Sequence, residues 1–323
     1  MKALPFVIAS LLLAAAGPLA AQSYPERPIR IVVPFPPGGG SDISARSVAD
    51  PISRALKHPV VIDNRPGGQT VIGSELVARS APDGYTLLLC TDDTTSIHAA
   101  YGTKLPYDPV RDFAAVSGIG QASLVLLANA GLGVKTLAEL VARARANPGK
   151  LSFGSLGTGS PHFLFFEGFK LAAGIQLLDV PYKGTAQAVT DLIGGQVDLM
   201  VVGASTAKRH EESGRGVVLA ATGDTRNPFA PSVPTFIESG YPGMTMLSGF
   251  ALCGPAGLPR PVINRLHGEV VTALKDPAVA ARLAGIGLVP WPAPPEDFDA
   301  SVRRTTEIYR RTIQATGAKM EGR

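Results

Sequence analysis

The sequence predicts an α/β fold in more than one domain, built mainly on parallel sheets. Three observations carry that prediction. Short apolar, strand-like runs alternate with helical patterns along the chain. Several of those runs are continuously apolar, as strands covered on both faces are. The length, 323 residues, corresponds to about two domains at roughly 150 residues each.

Composition supports a folded chain. Hydrophobic residues make up 45% and charged residues 17%, which supplies a full core and excludes intrinsic disorder. The 36 Gly and 28 Pro follow no collagen-like period and imply many turns. The net charge of +4 is spread along the chain rather than gathered in a stripe, so no nucleic-acid partner is expected. With only two cysteines, neither a structural zinc site nor a dense disulfide framework is expected.

Element by element, the chain begins with an address. Lys2 precedes an apolar stretch from Leu4 to Ala16 and a small-residue exit at Leu19-Ala20-Ala21. This pattern is that of a secretory signal peptide over 1–21, cleaved after Ala21. The stretch falls short of the roughly 20 residues of a membrane span, and Gly17-Pro18 interrupts it. No cysteine stands at the cleavage point to carry a lipid. The expected destination is the periplasm.

Ile29–Val33 is the first strand, apolar and β-branched. Asp42–Leu56 is a helix with the cap formers Ser41 and Asp42 at its start. Val60–Ile62 and Thr86–Leu89 are further strands, and Asp112–Gln121 is a candidate crossing between domains. Leu124–Ala128 is a strand, followed by a helix over Leu137–Ala146 that opens on the capping box Thr136-Leu137-Ala138-Glu139. Strand Leu151–Phe153 leads into helix Pro161–Ala172, with proline where a first turn tolerates it. Helix Ala186–Ile193 and strands Val197–Val202 and Val217–Ala221 follow. A second crossing, Thr245–Leu252, contains the strand Gly249–Leu252, and helices Pro261–Leu274 and Glu296–Ala315 close the chain. No linker or repeat separates the domains. The expected division is discontinuous: residues 22–121 with 246–323 as one domain, 122–245 as the other.

Two segments share a grammar of strand, glycine-rich turn and helix. The first runs Ile31 to Asp42 through Phe35, Gly38, Gly39, Gly40 and Ser41; the second runs Leu151 to His162 through Ser155, Gly157, Thr158, Gly159 and Ser160. Glycines let the backbone approach a ligand, and a helix N-terminus offers free N–H groups to an anion. A tight strand-to-helix turn has the same composition. Two such units from separate domains can converge on one small anion at the carboxyl ends of their strands. Neither is a nucleotide loop, because both lack the Walker and dinucleotide patterns.

Other candidates are single residues. His162 suits donation to a ligand carboxylate or a packing role, and Lys183 suits an anion or a surface turn. Thr94 stands with Thr91, Asp92 and Asp93 after the Thr86–Leu89 strand; paired acids suit a metal, a cationic group or a capped turn. No metal or other cofactor is expected. The chain has no G-x-S-x-G or H-E-x-x-H motif, and its five histidines show no metal-ligand spacing, so catalysis has little support. Export permits Cys90 and Cys253 to oxidise; each ends an apolar run, which buried thiols fit as well as a bridge does.

The stretch Tyr24 to Asp42 resembles the start of mature Bug-type solute receptors, the periplasmic binding components of tripartite tricarboxylate transporters. Matches continue through Val61–Gly68, Ala81–Leu89, Leu105–Phe113, Lys135–Leu140, Pro181–Gly184 and Asp191–Asp198, nearly the whole mature chain. The resemblance implies a two-domain periplasmic binding protein clamshell, type II-like, with a small carboxylate held in the cleft between domains. It also implies that Phe35–Asp42 and Ser155–His162 hold the carboxylate, with Phe35 covering its apolar part. The implied role is a monomeric, non-catalytic receptor that delivers its ligand to membrane permease subunits. A sensor docking on a histidine kinase is the alternative, and a metal-dependent hydrolase using Asp92 and Asp93 a third reading. Gly203-Ala204-Ser205 stands where the family often has an acid, which implies a ligand without an α-amino group. Asp92 and Asp93 replace small polar residues, and Gln187 a common proline.

Overall fold

The computed structural model describes residues 24–319, so the expected signal peptide lies outside the described residues. Two sheets form. In the first, β1 (Ile29–Val33), β2 (Val60–Asn64), β3 (Thr86–Cys90) and β4 (Phe113–Ser123) are joined by strands from late in the chain. In the second, β5 (Val125–Asn129), β6 (Ser152–Ser155), β7 (Leu178–Pro181), β8 (Leu199–Val202) and β9 (Gly216–Ala221) lie in the order β7-β6-β8-β5-β9. The late strands β10 (Leu247–Pro255) and β11 (Val289–Pro290) complete the first sheet as β11-β4-β10-β3-β1-β2.

The helices are α1 (Gly40–Leu56), α2 (Val71–Ala78), α3 (Ser96–Tyr101), α4 (Leu137–Ala146), α5 (Pro161–Ala173) and α6 (Thr185–Ile193). They continue with α7 (Ala204–Glu212), α8 (Arg260–Leu274), α9 (Pro277–Gly285) and α10 (Pro295–Thr316). The continuously apolar strands are two-faced, as their sequences imply. Ile29, Ile31 and Val33 pack into one cluster with α1 and α8, while Val32, Leu88 and Cys90 pack into another with Phe298. In the second sheet Leu126 and Ala128 face the phenylalanines of α5, and Val125 and Leu127 face α6 and α7. At α4, Thr136 accepts from the Glu139 N–H at 3.1 Å, while the Glu139 carboxylate accepts from the Lys135 N–H at 2.7 Å.

The sheets are mixed, not mainly parallel. β1 pairs in parallel with β2 and β3, and β6 with β7 and β8. β10 is antiparallel to β3 and β4, and β5 to β8 and β9. The reason is the crossings. β4 ends at Ser123 in one sheet and β5 starts at Val125 in the other; β10 returns the chain to the first sheet. An apolar run does not reveal strand direction. Asp112–Gln121, read as a crossing, lies for the most part in the long strand β4. The crossings are tied together: the Thr222 hydroxyl accepts from the Leu124 N–H at 2.9 Å and donates to the Met246 carbonyl at 2.6 Å. Cys90 and Cys253 form a disulfide between β3 and β10, with Cα atoms 6.1 Å apart.

Candidate functional site

The two glycine-rich units come from different sheets and meet across a cavity of about 110 Å³. In the first, β1 leads through Pro34–Gly39 into α1. Gly38 takes φ +84°, a left-handed conformation that glycine adopts without strain. Gly39, not Ser41 or Asp42, occupies the N-cap, and no side chain caps the helix. The first-turn N–H groups of α1 therefore meet no side-chain acceptor, and Ser41 beside them lines the cavity together with Phe35.

Asp42 points into the loop instead. Its carboxylate accepts from the Gly38 N–H at 3.0 Å, Arg46 Nε at 2.9 Å and Asn64 Nδ2 at 3.1 Å, and the residue is buried. The Arg46 guanidinium, with the Gly38 and Asn64 donors, holds the carboxyl below the usual carboxylate range. Asn64 also donates to the Phe35 carbonyl at 3.1 Å. Asp42 thus shapes the loop that carries Phe35 and Ser41.

The second unit is organised by its own serines. Buried Ser155 accepts from the Gly157 N–H at 3.0 Å. Ser160 caps α5, accepting from the Phe163 N–H at 3.2 Å and donating to the Gly157 carbonyl at 2.7 Å. These hydroxyls are engaged in the turn, and the cavity is lined by Leu156, Pro161 and His162. Tyr101 of α3 donates to the Thr158 carbonyl at 2.5 Å and ties this turn to the other half of the molecule. Burial lowers the His162 pKa to about 4, so its ring is neutral at neutral pH, and Nδ1 has no partner.

The turn after β3 forms a third wall, with Thr91, Asp92 and Asp93 on the cavity. Thr94, expected among the ligand contacts, is fully buried; its hydroxyl accepts from the Thr91 N–H at 2.9 Å and donates to the Thr91 carbonyl at 2.8 Å. Thr91 Oγ1 itself has no partner. Tyr309 of α10 donates to Asp92 Oδ2 at 3.1 Å. Burial, reinforced by the neighbouring charge of Asp93, pushes the Asp92 carboxyl up to about 7, and burial pushes Asp93 up to about 6. Among the described residues no group of three or more His, Cys, Asp or Glu gathers as metal ligands.

The remaining wall comes from the crossings: Leu124, Met246 just before β10, and Ser248 and Phe250 in its first residues. Reading by motif missed these side chains. The only signal for them was the position of the crossings, because Leu124, Met246 and Phe250 are apolar and match no site motif. Lys183 is exposed and lines neither this cavity nor the outer groove. Gly39, Thr158 and Gly159 belong to the two turns and do not line the cavity. The outer groove, about 960 Å³, runs from Gly38 and Gly40 to Gly203, Ser205 and Arg209 at α7.

Comparison with known proteins gives one consistent result. A family model described as "Tripartite tricarboxylate transporter family receptor" matches residues 44–318. The chain is 35% identical over 307 residues to Protein BugT of Bordetella pertussis (strain Tohama I), covering 95% of this chain and 94% of that relative. It superposes with a TM-score of 0.75 on the periplasmic binding protein BugD, at 31% identity, covering 92% of this chain and 99% of that one. With the R. palustris protein Rpa4515, solved with adipate, the TM-score is 0.79 at 32% identity, covering 91% and 98%.

Proposed function

This chain belongs to the tripartite tricarboxylate transporter receptor family, and from that premise we propose that it is a non-catalytic periplasmic receptor for a small carboxylate. The ligand sits in the cleft between the two sheet-bearing halves, residues 22–121 with 246–323 and residues 122–245. The protein acts after removal of 1–21 and hands the ligand to membrane permease subunits.

One observation carries the reading. The cavity is bounded by the starts of two helices from different sheets, α1 at Ser41 and α5 at Pro161. Both ends carry partial positive charge, and the α1 N–H groups have no side-chain cap. A carboxylate there accepts charge-assisted hydrogen bonds, and closure of the halves removes the water that would weaken them. The apolar faces of Phe35 and Phe250 cover the ligand's carbon skeleton. Adipate bound to Rpa4515 supports the ligand class.

The test is a thermal-shift panel on the mature protein, refolded to remove carried-over ligand. Dicarboxylates, tricarboxylates, acidic and ω-amino acids and aromatic acids are compared with sugars and simple amines. A ligand at 100 times its Kd adds about 2.7 kcal/mol, a shift of a few degrees. A shift confined to carboxylate-bearing compounds is expected; shifts with sugars alone, or with none of the acids, reject the reading.

A further inference from the structure

We propose that Asp92, Asp93 and the Thr91 hydroxyl form a seat for a cationic nitrogen on the wall of the cavity, so that the preferred ligand is a zwitterion with a carboxylate at one end and a protonated amine at the other. The inference deepens the carboxylate-receptor reading and rests on it.

The cavity wall carries two kinds of charge. The helix starts of α1 and α5 favour negative charge. Asp92 and Asp93, adjacent in sequence, place two carboxylates on the same wall. Among the described residues no Lys or Arg forms an ion pair with either. The protein supplies Asp92 with one donor, the Tyr309 hydroxyl, and supplies Asp93 only with its own backbone N–H.

An independent observation points the same way. Thr91 is only 6% exposed, lies between this cavity and an adjoining one, and its Oγ1 has no hydrogen-bond partner. A buried polar group without a partner costs about 1–3 kcal/mol, so such a group in a cavity wall marks a place for a ligand atom. The chemistry of the three groups is specific. Two carboxylates and a hydroxyl are acceptors, and an ammonium brings three N–H donors with the opposite charge. A ligand carboxylate at this seat would instead add negative charge beside two carboxyls that burial already disfavours as anions.

The charge state of His162, which lines the same cavity, agrees. Neutral His162 adds no positive charge to compete for the acids. The charged residues Asp224 and Arg304 line an adjoining cavity that also reaches Thr91 and Asp92. Burial has already pushed both carboxyls upward, and the charge of Asp93 pushes Asp92 further, so an arriving cation lowers them and releases protons.

The experiment is isothermal calorimetry on the refolded mature protein at pH 6.5, in two buffers of different ionisation enthalpy. The probes are matched pairs: 4-aminobutanoate against succinate, and 6-aminohexanoate against adipate. At least tenfold tighter binding of an amino carboxylate than of its dicarboxylate partner, with protons released, is expected. Asp93→Asn, at a side chain with no other protein partner, is expected to remove that preference without lowering the ligand-free melting temperature; Asp92→Asn, which keeps an acceptor for Tyr309, serves as the second variant. Equal or tighter dicarboxylate binding, protons taken up, or a preference unchanged in both variants overturns the seat and leaves the receptor reading standing. If the whole carboxylate panel fails to bind, the receptor reading falls and the seat with it.

Discussion

The carboxylate of Asp42 closes the loop that presents Phe35 and Ser41, and three donors converge on it. Asp42→Ala removes them together and leaves the Gly38 N–H and Asn64 Nδ2 in search of other partners. Hydrogen bonds to a charged group contribute roughly 1.5–3 kcal/mol each, but Arg46 is half exposed and its share is screened. We expect a net loss of about 1–3 kcal/mol in chemical denaturation, with weaker ligand binding because the loop relaxes. The pH dependence has a definite sign. The folded state lowers this carboxyl below its ordinary value, so its contribution is present above about pH 4, the unfolded carboxylate value, and is lost as the pH falls through the folded value. The stability difference between wild type and Asp42→Ala is therefore expected to shrink on acidification below pH 4; a difference that stays constant to pH 2 contradicts the role.

The strands β3 and β10 carry the acid turn and the apolar wall of the cavity, and the Cys90–Cys253 disulfide joins them across 163 residues of sequence. Closing so long a loop removes entropy from the unfolded chain, typically about 2–4 kcal/mol in measured disulfides. Cys90→Ser with Cys253→Ser is expected to lower the melting temperature by several degrees. The strands stay paired, because Ala251, Leu252 and Cys253 also register against Cys90, Leu89 and Leu88 through the antiparallel ladder. A double variant as stable as wild type in calorimetry rejects the stabilising role. The apolar runs that end at each cysteine announced two buried strands. They did not announce that the strands are neighbours, since antiparallel pairing brings together residues that sequence distance separates.

Across the whole molecule, the halves are joined at two adjacent crossings that share Thr222. Its hydroxyl bridges the Leu124 N–H and the Met246 carbonyl and is fully buried. Thr222→Val keeps the shape and removes the hydroxyl, leaving both backbone groups unpaired at a cost of about 1–3 kcal/mol. The expected outcome is a lower melting temperature together with a changed closed-state population, read by small-angle scattering with and without ligand; unchanged stability overturns the assignment. A second bridge lies beyond the crossings, where Ile97, Leu164 and Tyr309 pack α3, α5 and α10 into one cluster. Helix α10 thereby reaches both halves, and its Tyr309 also touches Asp92.

The chain's own pattern determined the α/β class, most of the strands, the two glycine-rich turns and the family resemblance. Those features are local, written in apolar runs, turn residues and caps that act within a few positions. The tertiary structure alone decided strand direction, the pairing of the cysteines and which residues of the turns line the cavity. Ser155, Ser160, Asp42 and Thr94 looked like ligand contacts because they have the right chemistry beside glycine, yet each is held by the backbone of its own turn or by a neighbouring strand. Leu124, Met246 and Phe250 carried no such signal and line the cavity because the crossings bring them there. A hydroxyl or carboxylate binds whichever partner is nearest, and for these four that partner lies within 22 residues; the cavity wall itself is assembled by the crossings from segments as far apart as Phe35 and Phe250.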